Sequence, residues 1–561
     1  MAQGVTSSRA AGEPARPSAE HAIRSAIGNC LSSRGCQVAG VVLAFLLVAS
    51  VHRQNDGLWF QGDSPRHAMN GLFWWDLLTT LPRDPVEFAV RYYARYPAIN
   101  PATYPPLFYF VEGLTFAAFG PSPQVAKFIV LLFGVVAGVY TMAWARRWIG
   151  PAAGWTGAFL AFVPGIVLWT SSVMLNIPAA ALGLAVLYHF RRWTETAGVV
   201  QLVLTLVLAA AVVLTYYQGG IVLCICAGWA VLRRREFHVD RRALWVAAGA
   251  LCAIAPVAIA IVLAPVQTAR HLPTLALLTS SSTWTFYWMT LPDVTGRSAL
   301  VAGVAGLIAG FFTVRWRTDA AYLAIWITAS IVGLSLLPAK DPRYVLLSAP
   351  AFVLAAAIGL AAAVPHLRAR HPEWQAAALA AGLAAGFWAA ARVQVPQVSG
   401  FREIATYLQE QAPSDAVLYD GQYGGLFVFY VRALDPHFER RVALGSKLLY
   451  QDGPASTFTP VQRSNVASTQ DVVNLLRTRT GCRWVAIEVT RNPGSVGRRL
   501  LRQAVARSEF ELVRSFPITG AGERRVDLYK IVSAVDPVTT VDLGFPSFTN
   551  RSFHNVDPIT R

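Results

Sequence analysis

Charged residues are scarce in this chain, and so are the patterns of a soluble enzyme. Only 14% of the 561 residues are charged, 54% are hydrophobic, and the mean hydropathy is +0.43. The sequence has no Gly-rich loop of the ATP-binding type. The six cysteines show neither a disulfide framework nor the spacing of a metal site, at Cys30, Cys36, Cys224, Cys226, Cys252 and Cys482. A single large soluble core and a disulfide-stabilised secreted domain are therefore both excluded.

The net charge of +17 does not indicate nucleic acid as a partner. Most arginines lie in short clusters at the ends of apolar runs, as the positive-inside rule requires. The runs themselves are about 16–22 residues long, which is the length of a membrane-spanning helix. The sequence therefore predicts an integral protein of the plasma or inner membrane.

Arginine clusters follow every second apolar run, which predicts about 11 transmembrane helices with the N-terminus in the cytoplasm. Tyr104–Gly120 contains Glu112 and would reverse the orientation of all later clusters if it crossed the membrane, so we predict an interfacial helix there. The predicted spans are 35–51, 125–144, 152–170, 177–190, 198–215, 219–232, 243–264, 298–313, 319–337, 345–363 and 375–391.

The fold class predicted is a polytopic α-helical membrane protein with a C-terminal soluble α/β domain. Residues 1–34 are expected to be a disordered cytoplasmic tail and 35–391 the transmembrane domain, with a first outer loop at 52–124. Residues 392–536 are expected to be an extracytoplasmic α/β domain and 537–561 an extended tail.

Two kinds of segment are predicted inside the α/β domain. Helical patterns cover 401–411, 471–479 and 498–507, and strand patterns cover 416–419, 484–489, 510–516 and 525–531. Gly421–Gly425 follows the first strand and is read as a turn in preference to a phosphate loop. The domain is expected to cover the site or to select the acceptor.

Four polar groups are predicted to meet at the outer membrane surface. Asp63 is followed by Arg66 and His67, which share its face if the segment is helical. Three further groups lie in other segments that are predicted to be outside. The first is Tyr104 before Pro105-Pro106, and the second is Asn176 before Pro178. The third consists of Lys340, Arg343 and Tyr344, in the motif Lys340-Asp341-Pro342-Arg343-Tyr344.

These residue types suit group transfer from a lipid phosphate. An aspartate can act as general base toward a hydroxyl or an amine. Arginine binds a phosphate through its planar fork, and lysine binds it as a point charge. The lipid tail would stay in the bilayer while its head group is attacked from the aqueous side.

The arrangement resembles the GT-C class of membrane glycosyltransferases, in particular the bacterial branch related to protein O-mannosyltransferases and lipid A aminoarabinose transferase. The resemblance covers about 40–390. It rests on motifs in the family's order, namely Asp63 opening the first outer loop, Pro105-Pro106-Leu107, Lys127 after Gly120-Pro121-Ser122-Pro123, Asn176 with Pro178, and Lys340-Asp341-Pro342-Arg343-Tyr344.

The resemblance implies a polyprenyl-phosphate sugar donor, a glycan, lipid or protein acceptor, and an inverting single displacement. Asp63 would take the acceptor proton, Arg343 and Lys340 would stabilise the departing phosphate, and Tyr344 would bind phosphate or sugar. Arg66 and His67 would orient Asp63 or bind the acceptor, while Tyr104, Asn176 and Lys127 would complete the substrate site. No cofactor is expected, and the scarcity of clustered acids argues against a divalent ion.

Two departures from the family and two other functions remain open. The family often has a second acid where Ser64 stands, and an acid where Asn176 stands, and an amide cannot serve as a base. Asp63 also fits a helix cap, and Lys127 fits a residue that extends to the interface. A transporter or flippase for lipid-linked glycans and a non-catalytic envelope assembly protein are the alternative functions.

Overall fold

The structure is a computed structural model. It describes residues 19–52, 57–58, 63–100, 103–234, 279–363, 372–451, 463–489, 495–520, 524–538, 540–545 and 551–557.

The first quarter of the chain forms a helical hairpin, α2 and α6, with three further helices in the loop between them. The helices are α1 Ala19–Ser32, α2 Arg34–Val51, α3 Asp63–Thr80, α4 Pro85–Arg95, α5 Leu107–Phe119 and α6 Pro123–Trp148. Ser33 and Ser122 cap α2 and α6 with their side chains, and Asp84 caps α4. Helices α3, α4 and α5 lie in the segment predicted as the first outer loop.

The middle of the chain is also helical. A short broken stretch comes first, with 3₁₀ turns at Pro151–Trp155 and Leu160–Phe162 around α7 Thr156–Phe159. The other elements are α8 Pro164–Thr170, α9 Asn176–Thr196, α10 Val199–Thr215, a 3₁₀ turn Tyr217–Gly220, α11 Ile221–Leu232, α12 Ser281–Thr295, α13 Arg297–Phe312, α14 Arg317–Ser335, a 3₁₀ turn Pro342–Ser348, α15 Ala349–Ala363 and α16 Pro372–Ala390.

Within the described ranges, four helical segments are long and apolar enough to cross a membrane, or six if each of two bent pairs is one span. The four segments are Arg34–Val51, Pro123–Trp148, Arg317–Ser335 and Pro342–Ala363. The bent pair α12–α13 turns by 111° at Gly296, whose φ of +81° is a conformation that glycine tolerates. The protein is thus a helical membrane protein, and the number of 11 spans stays a prediction.

Four of the remaining predicted spans fall on helices that are shorter or less apolar than the four segments named above. Helices α9, α10, α11 and α16 coincide with the spans expected at 177–190, 198–215, 219–232 and 375–391. The seventh predicted span, 243–264, lies outside the described residues.

Within the described residues, three of the arginine-bearing helix ends that the charge rule assigned to one side meet in space. Arg191 at the end of α9 pairs with Glu195 at 3.1 Å and with Asp319 of α14 at 3.5 Å. Arg147 of α6 pairs with the same Glu195, and Arg315 donates to the Ile149 carbonyl at 3.3 Å. The ends of α6, α9 and α14 therefore form one surface, opposite the end that carries Asp63.

The C-terminal region is a small mixed sheet flanked by helices. The strands of the main sheet are β1 Ala416–Asp420, β2 Val442–Leu444, β5 Cys482–Val489, β6 Phe510–Ile518 and β7 Arg524–Ile531, and β3 Tyr450–Gln451 pairs separately with β4 Arg463–Ser464. The strand order of the main sheet is β2–β1–β5–β7–β6. In it β1 is parallel to β2 and β5, and β7 is antiparallel to β5 and β6. The helices are α17 Phe401–Gln411, α18 Gly424–Ala433, α19 Gly445–Leu448, α20 Thr469–Asn474, continued by a π-helical turn Leu475–Arg479, and α21 Val496–Val505. The expected α/β region is present, with boundaries shifted by a few residues.

Two expected tails contain regular structure. Residues 19–32, expected to be disordered, form α1, because Gln37 and Trp155 donate to the Leu31 carbonyl and Arg146 donates to that of Ser32. Residues 541–556, expected to be an extended tail, contain the antiparallel pair β8 Val541–Phe545 and β9 Arg551–Val556. Local sequence composition missed α1, whose contacts with Arg146 and Trp155 join distant parts of the chain, and it also missed the β8–β9 pair.

Candidate active site

Asp63 begins α3 and forms ion pairs with two arginines. Its Oδ2 accepts a hydrogen bond of 3.0 Å from the Arg343 guanidinium, and its Oδ1 lies 3.5 Å from that of Arg66. The segment is helical, so Arg66 lies one turn after Asp63, as the spacing predicted. The Asp63 side chain is 28% exposed, so it keeps access to solvent.

Arg343 is held in place from several sides. Its Nε lies 3.3 Å from Asp341 Oδ2, and Asp341 also caps the 3₁₀ turn by accepting the Arg343 backbone N–H at 3.0 Å. The guanidinium carbon lies 5.6 Å from the ring centres of Trp169 and of Tyr344. Such packing fixes the direction of the guanidinium without consuming all of its donors.

His67 faces the interior beside the aspartate. It is 2% exposed, and its Nδ1 lies 2.7 Å from the hydroxyl of Tyr109. The Tyr104 ring packs edge-on at 4.9 Å between ring centres. Burial lowers the pKa of His67 to about 3, in spite of Asp63, so the imidazole is neutral at pH 7.

The charge of Asp63 is set by its surroundings. Burial opposes its ionisation, but His67, Arg343 and Arg66 outweigh this effect, so the pKa of Asp63 lies below its usual value. Because His67 is neutral at pH 7, the two guanidinium groups are the positive charges that act there. Asp63 is therefore a carboxylate at neutral pH, ready to accept a proton.

A tyrosine wall runs from Tyr104 to Arg343. Ring centres are 6.3 Å apart between Tyr104 and Tyr216, and 6.4 Å apart between Tyr216 and Tyr344. Burial chiefly raises the pKa of Tyr104 to about 12, so its hydroxyl keeps its proton and can donate. A narrow cavity of about 20 Å³ lies beside this wall, between α9, α11 and the Arg343 turn, and Asn176, Tyr216, Arg343 and Tyr344 line it.

Most of the residues predicted from the sequence therefore lie around one centre, and two lie elsewhere. Asp63, Arg66, His67, Tyr104, Arg343 and Tyr344 are linked by the contacts above, and Asn176 shares a cavity with Arg343. Lys340 donates to the carbonyls of Ser335 and Leu337, at 2.7 and 2.8 Å, and so caps the end of α14. Lys127 donates to Gln397 Oε1 at 2.9 Å.

Lys127 lines a second and larger cavity. This groove has a volume of about 510 Å³, and it lies at the end of α2 that leads toward Asp63. Its wall is mostly apolar and is formed by α2, α5, α6 and α8, and its polar side chains include Lys127 and Gln397. Ser171 lines the groove. Trp169, two residues earlier in the same segment, packs on Arg343.

Several residues of this site were missed by sequence reasoning. Asp341 received no predicted role, although an aspartate before proline is a common turn cap that would have suggested one. Tyr109, Trp169 and Tyr216 lie inside apolar helices or at their ends. Nothing in their local pattern distinguishes them from core aromatics, so no sequence signal was available.

No protein-family model matches this sequence, and no curated protein matches it significantly. Solved structures do match. The structure of ArnT from Cupriavidus metallidurans bound to undecaprenyl phosphate aligns with a TM-score of 0.59 at 17% identity, over 90% of this chain and 100% of that chain. Its apo form aligns with a TM-score of 0.58 at the same identity, over 90% of this chain and 99% of that chain. The Archaeoglobus fulgidus oligosaccharyltransferase in the apo form aligns with a TM-score of 0.51 at 15% identity, over 81% of this chain and 70% of that chain.

This chain has the GT-C fold. At these identities the likeness establishes the fold, and it confirms the resemblance that the motifs indicated. In this GT-C fold, the loop between α2 and α6 supplies Asp63 and a distant turn supplies Arg343. The fold is thus what brings the base candidate and the phosphate-binding candidate together.

Proposed function

We propose that the protein is a glycosyltransferase that moves a sugar from a polyprenyl-phosphate donor to an extracytoplasmic acceptor by inverting displacement. The contact between Asp63 and Arg343 carries this proposal, because it joins a carboxylate base to a phosphate-binding group in one site. The GT-C fold shared with a structure that holds undecaprenyl phosphate supports the choice of donor. The protein is a membrane protein with helices apolar enough to face lipid.

In the proposed reaction, Asp63 accepts a proton and Arg343 stabilises the leaving phosphate. The acceptor hydroxyl or amine gives its proton to Asp63 while its oxygen or nitrogen attacks the anomeric carbon. The bond between that carbon and the phosphate oxygen breaks, and the phosphate leaves with the electron pair. Arg343 and the Tyr344 hydroxyl then stabilise the negative charge on the leaving phosphate.

Donor binding would also change the base. Arg343 is hydrogen-bonded to Asp63 and helps to keep the pKa of that carboxyl low. A phosphate beside Arg343 would compete for the guanidinium and weaken this bond. Asp63 would then be a stronger base once the donor is in place, because less positive charge stabilises its ionised form.

The apolar groove beside Lys127 suits a lipid chain. Its volume of about 510 Å³ and its mostly apolar wall fit a segment of an isoprenoid, and Lys127 supplies a positive charge in the same wall. The groove and Arg343 contact one segment, in which Thr170 and Ser171 line the groove and Trp169 packs on the guanidinium. We therefore propose that the donor chain lies in the groove and that its phosphate reaches the Arg343 side.

The extracytoplasmic location of the site is part of the proposal. The arginine-rich ends of α6, α9 and α14 form the surface opposite Asp63, and the positive-inside rule assigns such a surface to the cytoplasm. Asp63 and the C-terminal domain would then both lie outside. Cysteine labelling of an exposed position in that domain, such as Glu439→Cys, by a membrane-impermeant reagent would check this orientation.

Sugar transfer in membranes tests the function. Membranes containing the protein are given a panel of undecaprenyl-phosphate hexoses and pentoses with radiolabelled sugar, and label in lipid, glycan and protein fractions is counted. We expect transfer by the native protein and a loss of about 10²–10⁴-fold in Asp63→Asn, which is the usual contribution of a general base.

Asp84→Asn is the matched control. Asp84 lies in the same outer loop and caps α4 by accepting from Val86 and Glu87, a role that asparagine fills equally well. The control should keep full activity. Full transfer by Asp63→Asn would remove Asp63 as the base, and no transfer by the native protein from any donor would overturn the proposed function.

A further inference from the structure

The glycine-rich segment Gly421–Gly425 is held by contacts inside the C-terminal domain. It follows β1, and Glu488 at the end of β5 accepts the Gln422 backbone N–H at 2.7 Å. Glu488 is itself held by Arg524, whose guanidinium lies 2.8 Å from Oε1. The segment is therefore shaped by the C-terminal domain, and it leads directly into α18.

The two glycines that start α18 face different neighbours. A Cβ on Gly425 would lie 3.3 Å from the Cβ of Pro65 and 4.0 Å from the backbone nitrogen of Arg66. A Cβ on Gly424 would lie 3.1 Å from Leu444 Cδ2, a flexible side-chain end within the C-terminal domain. Gly425 is thus the point where the domain touches the first turn of α3.

That first turn is held from the opposite side as well. Ser64 is fully buried, and its Oγ accepts the Val173 backbone N–H at 3.2 Å. Val173 belongs to the segment between α8 and α9 that also places Met174 near Arg343. The residues just after Asp63 are therefore clamped between the helical bundle and Gly425.

A buried ion pair also holds α18 against α3. Arg432 donates from Nε to Asp76 Oδ2 at 2.9 Å and forms a second bond to Oδ1, and both side chains are almost completely buried. Tyr92 donates to the same Asp76 oxygen at 2.8 Å, and Tyr96 donates to Asp435 at 2.7 Å. Helix α18 consequently meets α3 at two places, near its start and near its end.

We infer that the C-terminal domain positions Asp63 for catalysis, with Gly425 and Arg432 as the positioning residues. Gly425 lets α18 rest on Pro65, and the Asp76–Arg432 pair keeps α18 from sliding along α3. Together they hold the first turn at the distance at which Asp63 reaches Arg343. This inference rests on the proposed function and assigns the glycine-rich segment to docking of the helix that carries the base.

The adjacent glycines provide the test. Gly425→Ala and Gly425→Val add one and then three carbons against Pro65, and Gly424→Ala and Gly424→Val make the same changes toward Leu444. The full-length proteins are compared in two measurements: sugar transfer at saturating donor, and hydrogen–deuterium exchange of the backbone in residues 63–70. Gly425→Ala keeps the test usable if the valine variant does not fold.

We expect Gly425→Val to slow transfer about 10–100-fold, since small displacements of a reacting group have effects of this size. It should also speed exchange in residues 63–70, with Gly425→Ala intermediate and both Gly424 variants close to the native protein in both measurements. The inference is overturned if Gly425 and Gly424 variants behave alike, or if transfer and exchange do not change together. Absence of transfer by the native protein would instead overturn the proposed function, while exchange would still report on docking.

Discussion

Asp63 accepts a hydrogen bond of 3.0 Å from Arg343, although the two residues are 280 positions apart in the chain. One belongs to the helix that follows the first apolar helix, and the other to a turn between α14 and α15. The proposed base and the proposed phosphate-binding group are thus part of the same contact. Several measurable consequences follow from this arrangement.

Replacing Arg343 should move the acid side of the activity profile. The base works as a carboxylate, so transfer is lost as the pH falls through the pKa of Asp63. Arg343 helps to keep that pKa low, so Arg343→Gln raises it and shifts the loss of kcat/KM to higher pH. The profile is measured from pH 4 to 8.

Arg343→Lys is the control for this profile. It keeps the positive charge and should shift the acid limb less than Arg343→Gln, although it loses the planar fork for phosphate. An acid limb at the same pH in all three proteins would contradict the assignment of Asp63 as the base that Arg343 controls.

The neutral His67 should make the protein less stable in acid. Its pKa is about 3 in the folded state against a usual value of about 6.5, so the unfolded chain binds the extra proton between these values. Stability from this group is complete above about pH 6.5 and falls as the pH is lowered, by roughly 2 kcal/mol at pH 5. Thermal unfolding in detergent at pH 7.5 and pH 5 measures the loss.

His67→Phe should remove part of that acid sensitivity, because the ring can no longer take up a proton on unfolding. His437→Phe is a matched control, since His437 is exposed on the C-terminal domain. Equal acid sensitivity in the native protein and in His67→Phe would show that His67 is not buried in its neutral form.

Breaking the Asp76–Arg432 pair should cost far more than replacing it. Arg432→Ala leaves a buried carboxylate without its counter-charge, which destabilises by about 3–5 kcal/mol. The triple variant Asp76→Leu, Arg432→Met, Tyr92→Phe removes both charges and the hydroxyl that donates to Asp76, and it should recover most of the loss. Apparent Tm in detergent distinguishes the two variants.

An exposed ion pair serves as the reference. Arg507 lies 3.2 Å from Glu509 with its side chain 41% exposed, so Arg507→Ala should cost less than about 1 kcal/mol. A loss in Arg432→Ala no greater than this reference would mean that the buried pair does not hold α18 on α3.

Filling the groove should weaken donor binding. Ala49 lines the groove, and Ala49→Trp would occupy space proposed for the isoprenoid chain. We expect KM for an undecaprenyl-phosphate donor to rise at least about 10-fold, because several methylene groups at about 0.8 kcal/mol each lose their contact with the wall. Leu47→Trp is the control, since Leu47 is 41% exposed on the outside of the same helix. Equal KM values for the two variants would place the chain elsewhere.

The sequence carried enough information to predict which residues meet at the candidate site but not how they pack. Asp63, Arg66 and His67 have helical spacing, and Arg343 follows a proline at the start of an apolar run, so their types and order were visible. Their contact depends on how α3 packs against the segment from Trp169 to Asn176. That packing is a property of the whole bundle and leaves no local pattern.

Lys340 shows where composition misleads. A lysine three residues from Arg343 suggests a second phosphate ligand, but the structure aims its ammonium group at two carbonyl groups at the end of α14. Carbonyl groups without a partner at a helix end attract a nearby cation, so the ammonium group binds them and not the proposed phosphate. Of the five strands of the main C-terminal sheet, in contrast, β1, β5, β6 and β7 were predicted to within a few residues, because their residue patterns are local, whereas β2 was not predicted.

The ion pair of Asp76 and Arg432 has a consequence for biogenesis. The two residues are 356 positions apart, so the ribosome makes the acid long before its counter-charge. Until then the loop between α2 and α6 carries a carboxylate whose final partner does not yet exist. The contact of α18 with α3 can therefore be completed only after all the helices in between have been synthesised, and a chain that stalls earlier would leave Asp76 on an unfinished surface.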